Sequence, residues 1–226
     1  MNKRIQKCFD SFKYKDTELN FNIGTLVLML MCSFLIVIAT FIQFPLAYVS
    51  VPDKSVGTLL QLISNPDMLL KHIKHFYYIP QIPVILFIGG LLGQRLGSAS
   101  VLIYIIAGLI GFPIFALGGG FDYYTNPSFG YILGYVLAVW LVGSILRDKF
   151  NLVNVLKALI VGVLAVHLCG VFYIILYTFI EHDSLLVTFS WIWLLSGMQI
   201  LYDFVIGFMA ILLSRLTKRV LWIAIS

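Results

Sequence analysis

The sequence is short of charge. Asp, Glu, Lys and Arg make up 11% of its 226 residues, where a soluble domain carries about 25%. Six windows hold none of the four: 19–52, 76–94, 96–121, 123–146, 158–180 and 184–202. With 61% hydrophobic residues, the apolar surface exceeds what a core of this size can hide. That excludes an ordinary water-soluble domain and leaves lipid as the solvent. Cysteine is scarce too. Cys8, Cys32 and Cys169 have no close pairing in sequence, so neither a disulfide framework nor a zinc site is expected. Absent as well are H-E-x-x-H, G-x-S-x-G, a P-loop and a pair of aspartates within the apolar runs. No catalytic signature therefore speaks for an enzyme. Basic residues outnumber acidic ones, 15 to 10, but they form no stripe interleaved with aromatics, and nucleic-acid binding is not expected.

What the sequence does have is long apolar runs. An α-helical span takes about 20 apolar residues, which places six helices at 22–44, 79–93, 97–112, 128–146, 153–180 and 185–213. The runs do not alternate as the strands of a membrane barrel would. The expected class is all-α: a polytopic six-helix membrane bundle, one domain over 21–226 behind a polar, basic arm at 1–20. The first run is too long for the apolar part of a signal peptide and is read as a helix that stays. Lys and Arg set the orientation. With the N-terminus in the cytoplasm, Lys3, Arg4, Lys7, Lys13, Lys15, Arg95, Arg147, Lys149, Lys157, Arg215, Lys218 and Arg219 all fall inside, and only Lys54, Lys71 and Lys74 fall outside. Both termini are thus expected in the cytoplasm, with the net charge of +5 facing anionic lipid heads.

Two connections stand out. The external segment 45–78 is the longest, and 55–63 and 67–78 within it each show helical apolar spacing on either side of Pro66. They read as two short amphipathic helices at the outer interface, in a loop long enough to act as a lid. The other connection is "GFPIFALGGGFDYYTNPSFGY", residues 111–131. Pro113 is expected to end helix three, and Pro127 and Ser128 to start helix four. Between them, Gly118–Gly120 allow close approach of a ligand. Phe121, Tyr123, Tyr124, Phe129 and Tyr131 either wall a small-ligand pocket or form an interfacial aromatic belt.

Single residues add to this. Asp203 is the sole charged residue between Ser184 and Ser214. An acid inside an apolar span is costly, and it reads either as a ligand contact in a cavity or as a group held by neighbouring helices. Gln199 lies one helical turn earlier on the same face. His167 has no acid or second His one turn away, and is expected to be satisfied by a neighbouring helix rather than to relay protons. His72 and His75 read as solvated at the interface. Gly89, Gly93 and Gly97, and Gly130, Gly134 and Ala138, recur at the spacing that lets helix backbones approach.

The run "GGLLGQRLGSASVLIYIIAGLIGFPIFALGGG" with "NPSFGYILGY" after it resembles the BioY family, the biotin-specific S components of energy-coupling factor (ECF) transporters. That family carries a G-x-x-L-G-P-[RK]-x-G turn after helix two, a helix ending in G-[LA]-I-G-L-P-V-F, a glycine-rich loop and a G-P-T-G-G-Y-like start to helix four. Gly90–Gly97, Gly108–Phe115, Gly118–Gly120 and Asn126–Tyr131 take those places here. The resemblance implies a substrate-binding subunit in the bacterial plasma membrane that is not itself an enzyme and has no cofactor or metal. Its ligand would be biotin or a related small vitamin, and its partners a transmembrane T subunit and two ATPase subunits, with helix one (Gly24, Cys32, Ser33) against the T subunit. The implied substrate-binding residues are Asp203, Gln81, Gly119, Gly120, Tyr123, Asn126, Tyr131 and Gln199. Gln94 departs from the family's Pro, Tyr202 from its Gly and Ile206 from its Lys. An S component for another vitamin and a non-transporting scaffold are the alternative readings.

Overall fold

The computed structural model describes residues 22–49, 64–148 and 150–225. The expected basic arm and the amphipathic piece at 55–63 lie outside the described residues.

Helix α1 (Ile23–Phe41) begins at a capping box, in which Asn22 Oδ1 accepts from the Thr25 N–H at 2.8 Å and Thr25 Oγ1 accepts from the Asn22 N–H at 2.8 Å. These bonds satisfy two donors that a helix start leaves open. One stripe of α1 is buried (Thr25, Met29, Cys32, Ser33, Ile36, Ala39, Thr40) while Leu30, Met31, Phe34 and Ile38 point outward. Helical spacing thus separates a packing face from an apolar outer face that only lipid would solvate.

The chain then departs from expectation. Helix α1 stops at Phe41, short of residue 44, and strand β1 (Phe44–Val49) follows. Helix α2 (Pro66–Lys71) covers only the first half of the amphipathic helix expected at 67–78; the second half is strand β2 (Ile73–Tyr78). The two strands pair antiparallel from Phe44 opposite Tyr78 to Val49 opposite Ile73. Short helices are marginal without tertiary packing, whereas pairing gives both segments' backbone groups partners, and Ile, Phe and Tyr suit a strand.

Helix α3 (Gln81–Ile110) contains both of the spans expected at 79–93 and 97–112. It folds back at Gly93, whose φ of 76° and ψ of −173° suit only a residue without Cβ. A Cβ on Gly97 would lie 3.4 Å from the Ile88 carbonyl oxygen; nine residues along a straight helix the separation would be ~13.5 Å. The element is therefore two arms joined at a sharp turn. Gly143 of α4 (Phe129–Asp148) makes room for that turn, and the Ser144 hydroxyl donates to the Gln94 side-chain carbonyl. Helix α3 ends before Pro113, at Gly111 (φ 125°).

Helix α4 packs against both α3 and α5 (Leu152–Ile180). Gly89 and Gly97 sit against Val142 and Val139, and Gly134 against Val166, as close packing at these glycines suggested, whereas Gly93 of the same expected series lies in the turn, with no atom within 4 Å of where a Cβ would be. The last span is α6 (Leu185–Ile192), a π-helical turn (Trp193–Gly197) and α7 (Ile200–Ile225). Among the described residues, five helices are long and apolar enough to cross a membrane: 23–41, 81–110, 129–147, 152–180 and 185–221. The chain is a multi-pass membrane protein, its core running through α1, α3, α4, α5 and α7.

Candidate functional site

At the end of the bundle where α3 starts and α4 starts lies a cavity of about 110 Å³. Its polar lining is Gln81, Tyr123, Ser128, Tyr131, Tyr135 and Gln199; Ile79, Ile82, Ile132 and Leu195 form its apolar wall. The polar groups arrive from several separate pieces of backbone. Gln81 opens α3, Tyr123 sits in a 3₁₀ turn (Phe121–Thr125), Tyr131 and Tyr135 are one turn apart on α4, and Gln199 joins the π-helical turn to α7. Four residues named from sequence therefore meet here: Gln81, Tyr123, Tyr131 and Gln199.

Four others do not line the cavity. Gly119 is wedged under the loop: a Cβ there would fall 2.0 Å from the Phe112 carbonyl oxygen. The Gly120 N–H donates to the Gly108 carbonyl at 2.8 Å, tying the loop to the end of α3. Asn126 Oδ1 accepts from the Ser128 N–H and hydroxyl at 2.9 and 2.7 Å, which braces the entry to α4. These three residues shape the wall rather than face the space. The fourth is Asp203, 1% exposed and one layer deeper.

Both Asp203 oxygens are occupied. Oδ1 accepts from the Tyr78 hydroxyl at 2.8 Å, and Oδ2 lies 3.1 Å from His167 Nε2. His167 Nδ1 is 2.8 Å from Ser196 Oγ, which is 2.6 Å from the Tyr131 hydroxyl. A continuous chain thus runs from the acid to the cavity lining. The Tyr131 and His167 rings meet edge to face at 5.9 Å, fixing both ends of its middle section. Burial, followed by the charge of Asp203, pushes the Tyr78 hydroxyl above its ordinary pKa, so it keeps its proton and donates to the carboxylate. A second chain starts at Tyr135, whose hydroxyl donates to Gln81 Oε1 at 2.7 Å. Gln81 Nε2 donates to Thr40 Oγ1 at 2.6 Å, and the Thr40 hydroxyl donates to the Ile36 carbonyl at 2.9 Å. Phe115 and Tyr123, with ring centroids 4.6 Å apart, back the cavity on the loop side.

Sequence reading missed Tyr78, Tyr135 and Ser196, and it did not connect His167 to Asp203. The available signal was that the chain holds one acid and one histidine deep in different apolar spans; searching within one helix turn of His167 could not find a partner 36 residues away.

The BioY family pattern matches residues 77–222. A protein from Lysinibacillus sphaericus named "Probable biotin transporter BioY" is 37% identical over 93 residues, 38% of this chain and 47% of its own. The "Biotin transporter BioY" of Thermotoga maritima is 29% identical over 93 residues, 41% of this chain and 53% of its own. One from Pyrococcus horikoshii, "Probable biotin transporter BioY", is 34% identical over 91 residues, 40% of this chain and 53% of its own. The chain spans about half the length of these curated relatives. Among solved structures, the crystal structure at 2.1 Å of the S-component for biotin from an ECF-type ABC transporter is similar, with a TM-score of 0.62 at 20% identity, covering 89% of this chain and 95% of that one. The fold is thus that of an S component. With the family pattern running from β2 to the last helix, through every element that lines the cavity, the chain belongs to the BioY family.

Proposed function

We propose that this chain is the substrate-binding membrane subunit for biotin uptake. It takes the vitamin from the outer side into the cavity between α3, α4 and the π-helical turn, and a T subunit with two ATPase subunits supplies the work. Both termini face the cytoplasm, in keeping with the Lys and Arg distribution. The protein binds and hands over its ligand without chemistry, as the naming of its relatives as transporters suggests. The observation that carries this reading is the cavity itself. In a chain of this family, an apolar-walled space holds inward-facing polar groups at Gln81, Tyr123, Tyr131 and Gln199, the composition of a small-molecule site. Gly119, Gly120 and Asn126 hold the loop that forms one wall, and Asp203 lies behind it.

The test is biotin binding by the purified chain in detergent, read by calorimetry and by the shift in melting temperature, with mass spectrometry of whatever small molecule co-purifies. Saturable binding with a raised melting temperature is the expected result; no stabilisation by biotin overturns the reading. One observation favours a second ligand. Ile206, at the position of the family's Lys, is an apolar residue 37% exposed, so no cation stands one turn after Asp203. A related vitamin lacking an anionic group would tolerate that change, and a screen against other vitamins separates the two.

A further inference from the structure

The cavity offers its ligand a defined hydrogen-bonding polarity, which follows from where each hydroxyl hydrogen is spent. With Asp203 ionised and the His167 imidazole neutral, Oδ2 accepts the Nε2 proton and Nδ1 is left as the acceptor. Nδ1 then takes the Ser196 hydroxyl hydrogen, and Ser196 Oγ takes the hydrogen of Tyr131. The hydroxyl of Tyr131 has no hydrogen left to offer, only lone pairs. Tyr135 is in the same condition for a different reason, its hydrogen being donated to Gln81 Oε1. The two tyrosines are four residues apart on α4 and therefore share a face. Both line the cavity. The Gln199 side chain also lines it and makes no hydrogen bond to the described residues.

We propose that the Tyr131 and Tyr135 oxygens form an acceptor pair for two N–H groups of one ligand, with the Gln199 amide donating to the carbonyl between them. The ligand class is a cyclic urea, whose two N–H groups diverge on either side of one C=O. Asp203 is then a positioning residue. It reaches the ligand through His167 and Ser196, by fixing which way the Tyr131 hydroxyl points. This inference rests on the biotin reading and goes further, because it assigns the recognition of the ureido ring to two tyrosines and assigns the acid an indirect part.

The experiment compares biotin with two biotins methylated on one or the other ureido nitrogen, binding to the full chain in detergent. The wild type is expected to prefer biotin over each methylated form. In Tyr131→Phe the ring and its contact with His167 remain, biotin binding falls by about 3- to 10-fold, and discrimination against one of the two analogues drops by the same factor. Tyr135→Phe does this for the other analogue. Ser196→Ala, which cuts the chain by removing one atom, lowers discrimination at the same analogue as Tyr131→Phe and adds nothing in the double variant. Asp203→Asn behaves like Ser196→Ala. Unchanged discrimination in Tyr131→Phe and Tyr135→Phe, with biotin still bound by the wild type, overturns the proposal alone. Equal losses for all three ligands in both Ser196→Ala and Asp203→Asn overturn the positioning role. Failure of the wild type to bind any of the three compounds overturns this inference and the biotin reading together.

Discussion

Two hydrogen-bonded chains flank the cavity, and they end differently. The first links Tyr131, Ser196, His167, Asp203 and Tyr78, crossing α4, the π-helical turn, α5, α7 and β2. It ends on a carboxylate in a span that is otherwise uncharged for thirty residues or so. The second links Tyr135, Gln81 and Thr40, crosses α4, α3 and α1, and ends on the backbone carbonyl of Ile36. Tyr104 stands 3.3 Å from the same Thr40 hydroxyl. Both chains satisfy buried polar groups, but only the first carries an ionisable pair. A neutral chain suffices for packing. A charged one must be held by several partners, since each unpaired ion in a dry interior costs several kcal/mol. The charged chain therefore sits where five separate elements can share the task, and the neutral one where three do.

Breaking the charged chain should cost most. His167→Leu leaves the Asp203 carboxylate with Tyr78 alone, and the loss should be about 3 kcal/mol or more, read by denaturant melts in detergent. Adding Asp203→Leu should recover part of that loss, because an apolar pair of similar volume needs no partners; a double variant no more stable than the single would mean that packing, not charge, dominates at this position. Tyr78→Phe comes next. It removes one charge-assisted bond while His167 stays in place, a cost of about 1.5–3 kcal/mol. Since Tyr78 is the last residue of β2, faster proteolysis or hydrogen exchange in the hairpin than elsewhere would show that the hairpin is anchored by the acid.

The contrast between the chains also explains what could be read in advance. Lipid demands long apolar helices, so their extents are written in the charge-free windows. The turn at Gly93 was signalled by the glycines and Arg95 between two apolar runs. The β-hairpin was not, because Ile73, Phe76 and Tyr77 satisfy a helical spacing as readily as an alternating one, and the partner strand lies some thirty residues away. The site divides in the same way. Tyr123 and Tyr131 could be named because the loop carries a local pattern, Gln199 because it lies one turn from Asp203, and Gln81 only through the resemblance to the family. The Tyr78–Asp203–His167–Ser196 chain joins residues up to 125 apart, and no local pattern encodes such a meeting.

In the neutral chain, effects should be smaller and graded. Gln81→Leu removes the acceptor of Tyr135 and the donor to Thr40 at once, yet leaves only neutral groups unpaired. The expected cost is about 1–3 kcal/mol of stability, with a weaker ligand affinity from loss of a cavity-lining amide.

Thr40→Val should have the smallest effect of the series, and it isolates the neutral chain most cleanly. The substitution keeps the branched shape at a position 1% exposed and removes one hydroxyl. The Ile36 carbonyl retains its helical partner, since the Thr40 N–H still lies on the α1 ladder. Gln81 Nε2 loses an acceptor but borders the cavity, where water or a ligand can replace it. The expected loss is therefore about 0.5–1.5 kcal/mol in melts of the ligand-free protein. Adding ligand should shrink it if the ligand supplies Gln81 with a new acceptor. A Thr40→Val loss as large as that of His167→Leu would erase the distinction between the two chains, and would mean that the α1–α3 contact, rather than the buried acid, is the least replaceable support of the cavity.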